Sequence, residues 1–259
     1  MKIDDLMIIP ERNNLKSSIS LAKEFDCGFE YNDFFFPNVL EDEELQKEII
    51  NLYKAENDLP SYTTLHGAFF DVTVFSDDPL IKAVSDKRVE QSISIGRMLG
   101  VKGIIFHTNY TPNFNLESYR DNWVKRNAVY WREKLTKYKD IDIYIENMFD
   151  TDYELIKRLG EELEDVDNFG ICLDYAHAHV FGNQEYIESW VTNLAPYVKH
   201  IHINDNDFVS DLHLPVGTGN IDWKKFKEYY QQYFSKASVL LEVTGYEKSK
   251  QSLEFIKQL

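Results

Sequence analysis

Residues 103–146 read GIIFHTNYTPNFNLESYRDNWVKRNAVYWREKLTKYKDIDIYIE. The segment opens with a short apolar run, Gly103 to Phe106, and continues with a longer stretch of helical period, Leu116 to Lys137. It then returns to an apolar run at Ile141 to Ile145. Short apolar runs that alternate with helical segments are typical of βα units around a parallel sheet. The segment therefore predicts one strand–helix–strand unit.

The same alternation extends through the chain of 259 residues. The candidate strands are Ile3 to Ile9, Gly28 to Tyr31, Thr63 to His66, Gly103 to Phe106, Ile141 to Ile145, Phe169 to Leu173, Val198 to Ile203 and Val239 to Leu241. The candidate helices are Leu15 to Phe25, Asp42 to Glu56, Pro79 to Leu99, Leu116 to Lys137, Tyr153 to Leu163, Gln184 to Leu194, Trp223 to Phe234 and Glu247 to Leu259. Strands and helices that alternate over about 250 residues predict an α/β fold, a single-domain (β/α)8 TIM barrel over residues 1–259.

Composition narrows the class of protein. Apolar residues make up 43% of the chain, which is enough for one large core. The chain has no apolar run of about 18 residues and no leader-like N-terminus, so we expect a cytoplasmic protein with no membrane partner. Cys27 and Cys172 lack the spacing of a zinc or redox motif and are expected to be buried free thiols. The net charge of −16 disfavours a nucleic-acid partner, because Lys and Arg supply most affinity for phosphates.

Side chains that bind metals follow six of the eight predicted strands, at His66, His107, Glu146, Asp174, His202 and Glu242. Three more lie close behind in the sequence, at His177, Asp211 and His213. Catalytic groups of (β/α)8 barrels come from these strand ends. One such histidine alone is more often structural, but several carboxylates buried together must be paired or must bind a cation. Mixed imidazole and carboxylate ligands suit Zn, Mn, Fe or Co better than Ca.

Several segments resemble the xylose isomerase-like (β/α)8 superfamily. This superfamily holds the sugar phosphate isomerases and epimerases together with the endonuclease IV type of apurinic-site nuclease (AP endonuclease family 2). The most specific segments are Ile145 to Asn147, Leu173 to Ala178, His202 to Asn206 and Asp211 to Gly219. The resemblance covers essentially the whole predicted barrel.

The resemblance implies two different metal sites. The isomerase branch typically holds one divalent ion (Mn, Zn, Co or Mg) through four residues, matched here by Glu146, Asp174, His202 and Glu242. The endonuclease branch holds three zinc ions through five further ligands, matched by His66, His107, His177, Asp211 and His213. All nine positions are filled, so ligand identity alone does not choose between the branches. We expect one ion, or up to three zinc ions if the chain is endonuclease-like.

A metal-dependent sugar isomerase or epimerase of carbohydrate metabolism is the first function that the resemblance implies. Leu21 to Glu30 and Asn204 to Asp207 are similar to its members. Its substrate would be a small-molecule sugar or sugar phosphate, and the metal would stabilise an enediolate while Glu146 and Glu242 act as acid and base. In one departure, Phe208 stands where ketohexose 3-epimerases carry an arginine. Their substrate is therefore not carried over to this chain.

The alternative is an endonuclease IV-like phosphodiesterase acting on abasic DNA, in which Glu146 bridges zinc ions and activated water attacks phosphorus. Such an enzyme must hold a bent duplex. The sequence offers few basic residues for that purpose, and they lie mostly on predicted helix faces: Lys102, Arg120, Lys125, Arg126 and Arg132.

The segment Phe34 to Pro37 carries three consecutive phenylalanines. They could line the mouth of the barrel or pack a loop onto its rim, since aromatic side chains mostly serve burial. A homo-oligomer is a family-based expectation, and this segment is its candidate contact.

Overall fold

The computed structural model describes residues 1–259 and shows eight parallel strands that close into a barrel in sequence order. The strands are β1 (Leu6–Ile8), β2 (Gly28–Tyr31), β3 (Thr63–His66), β4 (Gly103–His107), β5 (Asp142–Glu146), β6 (Phe169–Asp174), β7 (Val198–Ile203) and β8 (Ser238–Leu241). The barrel closes where β1 pairs with β8, with Met7 opposite Leu240. The predicted (β/α)8 barrel is confirmed.

Ten helices connect and cover the strands. They are α1 (Leu15–Phe25), α2 (Pro37–Leu40), α3 (Glu43–Lys54), α4 (Pro79–Leu99), α5 (Glu117–Lys137), α6 (Glu154–Glu162), α7 (Tyr175–Val180), α8 (Ile187–Leu194), α9 (Trp223–Tyr229) and α10 (Tyr246–Gln258). Local sequence sets their limits. Asp78 caps the start of α4 by accepting from the Leu80 amide, and Gly100 ends it in the left-handed conformation with φ of 73°. None of these helices is both long and apolar enough to cross a membrane.

The helices bury their apolar faces on the outside of the barrel. Phe106 of β4 packs on Trp131 of α5 with ring centroids 5.2 Å apart. In α4, Gly96 allows a close approach, since a Cβ there would lie 2.9 Å from Cδ1 of Ile104. Added side-chain volume at such a tightly packed position typically lowers stability by about 1–3 kcal/mol. Both cysteines are buried and free, as expected.

Several element limits differ from the predicted ones. Strand β1 is shorter than the apolar run Ile3 to Ile9, whereas β4, β5 and β6 each run one residue further, to His107, Glu146 and Asp174. These polar residues still pair with their neighbours, as Glu146 does with His107 and Cys172. The candidate ligands are therefore held by the sheet itself.

Some helical segments also differ from the predictions. The predicted helix Gln184 to Leu194 starts as a 3-10 turn before α8, and the predicted helix Trp223 to Phe234 is α9 followed by a π-helical turn. Helix α7 was not predicted, and it follows β6 without a loop. Asp174 caps it by accepting from the His177 amide at 2.6 Å. This cap holds His177 beside the strand ends.

Candidate metal centre

The nine candidate ligands meet at the carboxyl end of the barrel, where they form three groups. In each group the ligand atoms lie no more than 4.8 Å from one another. The inner group is His66, His107 and Glu146. The central group is Glu146, Asp174, His202 and Glu242. The outer group is His177, Asp211 and His213. The structure thus brings together every site residue predicted from the sequence.

Glu146 joins the inner group to the central group. Its Oε2 lies 3.4 Å from Nε2 of His107 and 3.7 Å from Nε2 of His66. Its Oε1 lies 3.1 Å from Nδ1 of His202. The side chain is fully buried. Nδ1 of His177 lies 3.8 Å from the same Oε1, so four imidazoles face this one carboxylate, and Glu146 could serve as a ligand to ions of both groups.

In the outer group, Asp211 lies between two histidines. Its Oδ2 is 3.3 Å from Nε2 of His177 and 3.2 Å from Nε2 of His213. Nδ1 of His177 lies 3.3 Å from Oδ2 of Asp174, and this contact links the outer and central groups. The three groups are therefore continuous.

Two polar residues that the sequence analysis did not single out support these ligands. Asn147 exchanges two 2.9 Å hydrogen bonds with the backbone of Asp174, which ties the end of β5 to β6. Asp205 is fully buried and accepts from the amides of Gly217 and Ile221. Asp205 also accepts from the Trp223 indole at 2.8 Å and so closes the loop that carries Asp211 and His213 of the outer group. An acidic residue in a loop gives no such signal in sequence, because its burial depends on the fold.

Burial and neighbouring charges shift the pKa values in the site. Burial opposes ionisation of Glu146, but His202 and His107 outweigh it and hold the Glu146 pKa well below its ordinary value. Burial raises the pKa of Asp174 to about 8. Burial would lower the pKa of His213, but Asp211 and Glu242 raise it to about 10. Without metal, protons on this site therefore supply the positive charge that its carboxylates need.

The residues present fit divalent cations. Glu146 Oε2, Asp174 Oδ2, Glu242 Oε2 and His66 Nε2 are buried and have no hydrogen-bond partner. Buried charges without partners are costly, and cations remove that cost. The three groups contain four carboxylates. With neutral histidines, one divalent ion would leave a net charge of about −2, two ions would balance the charge, and three would leave about +2.

A cavity of about 260 Å³ opens above the three groups. Its wall includes ligands from every group: His66, His107, His177, Asp211, His213 and Glu242. Glu146 is not part of the wall. The inner group therefore faces the cavity through its two histidines and the outer group through all three of its residues, whereas Glu146, which the inner and central groups share, lies beneath the wall.

The three consecutive phenylalanines divide their roles. Phe34 is fully buried in the core, while Phe36 is half exposed. Phe35 lines the cavity with its ring 5.7 Å from that of His66. Phe69 lines the same wall, 4.7 Å from the ring of His107. Both uses considered from the sequence, lining and packing, therefore occur.

The loops around the mouth carry almost no basic residues. In segments 9–14, 32–36, 67–78, 108–116, 147–153, 181–186, 204–222 and 242–245, the single Lys or Arg is Arg12. Its Nε lies 3.8 Å from Oδ1 of Asp33. Phe208, at the position of the missing arginine, stacks on His179 with ring centroids 5.2 Å apart. The protein surface here offers little to a nucleic-acid backbone.

Comparisons with known proteins agree with this fold. A family described as the xylose isomerase-like TIM barrel matches residues 19–259. The uncharacterised protein MJ1311 of Methanocaldococcus jannaschii is 24% identical over 204 residues, which cover 75% of this chain and 68% of that protein.

Solved structures share the fold at low sequence identity. The TTHB071 protein from Thermus thermophilus, soaked with ZnCl₂, has a TM-score of 0.74 at 21% identity and covers 99% of this chain and 97% of its own. A D-tagatose 3-epimerase-like protein has 0.73 at 20%, covering 97% and 96%. Endonuclease IV from Thermus thermophilus has 0.61 at 13%, covering 98% and 97%. Because the family match spans nearly the whole barrel, the chain belongs to the xylose isomerase-like TIM barrel family.

Proposed function

We propose that this chain is a metal-dependent hydrolase that uses more than one divalent ion to cleave a phosphoester of a small molecule. The observation that carries the proposal is the position of Glu146. It is fully buried, four histidines lie within 3.8 Å of its two oxygens, and it is absent from the cavity wall. A catalytic base must come within about 2.6–3.2 Å of the proton it removes. Glu146 is better placed to bridge cations than to reach a substrate.

Divalent ions at such a site lower the pKa of water towards about 7 and neutralise charge on a phosphoryl group. The protein's own side chains have separate roles around that chemistry. Glu242 lines the cavity as a member of the central group, so one of its carboxylate oxygens can face an ion while the other accepts a proton from the attacking water. Phe35 and Phe69 exclude bulk water from one wall and can pack against the apolar part of a substrate.

The mouth suits a small substrate. Ligand cavities commonly measure about 300–1,000 Å³, and this one, at about 260 Å³, lies just below that range. A duplex would need many basic contacts, but Arg12 is the single basic residue of the mouth loops. These features support a small molecule over DNA as the substrate.

The test combines metal analysis with a phosphoesterase assay. Purified protein should contain two or three transition-metal ions per chain and should release p-nitrophenol from p-nitrophenyl phosphate or from its bis-ester. Glu146→Gln should lose both properties. His179→Gln is the matched control, because His179 is also buried but belongs to none of the three groups. A wild-type protein with one ion per chain and no release of p-nitrophenol would contradict the proposal.

A metal-dependent sugar isomerase or epimerase is the second candidate function. The shortage of basic side chains at the mouth and the aromatic rings on its wall favour it. Uncharged hydroxylated substrates do not need basic side chains, and aromatic rings stand on the wall. Glu242 lines the cavity but Glu146 does not, so a reaction with one base suits the site better than epimerisation with two. Deuterium uptake from solvent next to a sugar carbonyl, with one ion per chain, would favour this function over hydrolysis.

A further inference from the structure

Glu30 of β2 is a fully buried carboxylate inside the barrel, beneath the central group. Its Oε2 accepts from the Thr64 hydroxyl at 2.7 Å and lies 3.2 Å from Nε2 of His200. Its Oε1 lies 3.3 Å from Nε2 of His202, and neither of these two buried atoms has a hydrogen-bond partner elsewhere. A buried carboxylate with no Lys or Arg beside it needs these imidazoles as partners.

A line of polar contacts crosses the barrel through this carboxylate. Ser238 Oγ lies 2.7 Å from Nδ1 of His200, whose Nε2 faces Glu30. Glu30 in turn faces Nε2 of His202, whose Nδ1 is 3.1 Å from Oε1 of Glu146. Carboxylate oxygens thus face both nitrogens of the His202 ring from opposite sides.

This arrangement fixes the orientation of the His202 ring. A half-turn about the bond to the ring would exchange nitrogen and carbon positions, and the ring would then lose its contacts with both carboxylates. When the second ring nitrogen of a ligand histidine donates a hydrogen bond to a carboxylate, the ring is held in one tautomer. Its other nitrogen then becomes a stronger electron-pair donor to the metal ion.

We infer that Glu30 is a positioning residue that holds Nδ1 of His202 towards the central group and thereby sets the affinity of that group for a divalent ion. The inference rests on the metal centre of the proposed function, but it concerns a residue outside the three groups. Glu30 does not line the cavity, so any effect on an ion bound there passes through His202.

The test uses Glu30→Gln in the full chain. The amide keeps the shape and can still accept from Thr64, while it removes the charge that faces His202. Zinc affinity is measured by competition with a chromophoric chelator, and the melting temperature is measured on the metal-free protein. We expect zinc affinity to fall about 10- to 100-fold, with no loss of metal-free melting temperature.

Ser238→Ala is the matched control, because it removes the far end of the same line of contacts without touching Glu30 or His202. It should bind zinc as the wild type does. Unchanged zinc affinity in Glu30→Gln would overturn the inference. A fall in metal-free melting temperature that accounts for the weaker binding would also overturn it, since Glu30 would then be only structural. Wild-type protein that binds no divalent ion would instead contradict the proposed function and, with it, this inference.

Discussion

The two ends of the barrel are both acidic, but only one has the character of a reactive site. At the amino end of the strands, a cavity of about 400 Å³ is lined by Asp4, Asp5, Asp26 and Asp58. These acids lie in solvent: the Lys23–Asp58 pair, 2.9 Å apart, is 56% and 68% exposed. At the carboxyl end the cavity is smaller. Beneath it Glu146 and Asp174 are fully buried, Glu242 on its wall is partly buried and Asp211 at its edge is exposed, and all four carboxylates face histidines.

The difference shows what identifies a site in this fold. Exposed ion pairs contribute about 0–1 kcal/mol each to stability, and the solvated acids of the larger cavity therefore need no bound cation. Buried carboxylate oxygens that have no hydrogen-bond partner, such as Oε2 of Glu146 and Oδ2 of Asp174, do favour a bound cation. Burial and imidazole neighbours therefore distinguish the candidate metal centre, whereas cavity size and acidity do not. Experiments on the two ends can test this contrast.

The largest expected effect is the removal of metal from the carboxyl end. If free ion is held at about a thousand times its dissociation constant, loading stabilises the fold by about 4 kcal/mol. For a chain of this size that corresponds to roughly 8–16 °C in melting temperature. Chelator should therefore lower the melting temperature by on the order of 10 °C in calorimetry, and zinc should restore it. Identical melting curves with and without chelator would contradict a resident metal.

Asp211→Asn should dismantle the outer group alone. The carboxylate lies between His177 and His213, so its loss removes the charge that joins them. We expect one ion fewer per chain and a loss of affinity of at least about 100-fold for that ion, because weaker perturbations already cost 10- to 100-fold. Elemental analysis after dialysis measures the count. An unchanged count would mean that the outer group holds no ion.

Asp205→Asn should lower the stability of the loop that carries Asp211 and His213. The substitution leaves the Trp223 indole or one of two amides without its acceptor, and an unsatisfied buried donor costs about 1–3 kcal/mol. Chemical denaturation should show this loss in the metal-free protein. Asp207→Asn is the control, since Asp207 bonds only exposed amides of the same loop. Equal losses in both variants would exclude a special role for Asp205.

The metal-free protein should lose stability as the pH rises. Despite burial, which would lower it, Asp211 and Glu242 raise the pKa of His213 to about 10 from an ordinary 6.5. The fold therefore retains a proton that the unfolded chain releases, and the resulting stability is complete below about pH 6.5 and is lost on the way to pH 10. Melting temperatures across that range should decline, and His213→Gln should flatten the decline. If His213→Gln showed the same decline of melting temperature with pH as the wild type, the decline could not be assigned to His213.

The smallest effect is expected at the amino end. Asp58→Asn breaks an exposed pair with Lys23 and should change the free energy of unfolding by no more than about 0.5 kcal/mol. Metal content should stay the same. Loss of a bound ion in Asp58→Asn would show that the exposed acids also bind metal and would end the contrast between the two ends.

Sequence patterns alone located the strands and the set of ligand candidates. Their success has a physical basis, because parallel strands of a barrel bring their carboxyl ends to one rim whatever the loops do. His66, His107 and Glu146 lie 80 residues apart at the extremes, yet adjacent strands place them together.

Features that depend on packing were beyond the sequence patterns. Helix α7 is too short for a periodic signal, and the buried position of Glu146 depends on two histidines from other strands. Glu30 was visible only as a charged residue within an apolar strand. Its contacts with His200 and His202 join residues about 170 positions apart, which no local pattern can reveal.

The scarcity of basic residues around the mouth has a consequence for the order of events. With Arg12 beside Asp33, the mouth loops offer no free basic side chain, so the attraction of an anion depends on the protons or ions that the ligand groups hold. Uptake of ions and uptake of an anionic substrate are then thermodynamically linked, each strengthening the other by the same factor. The affinity of such a pocket for an anionic ligand would therefore rise with the concentration of free metal ion.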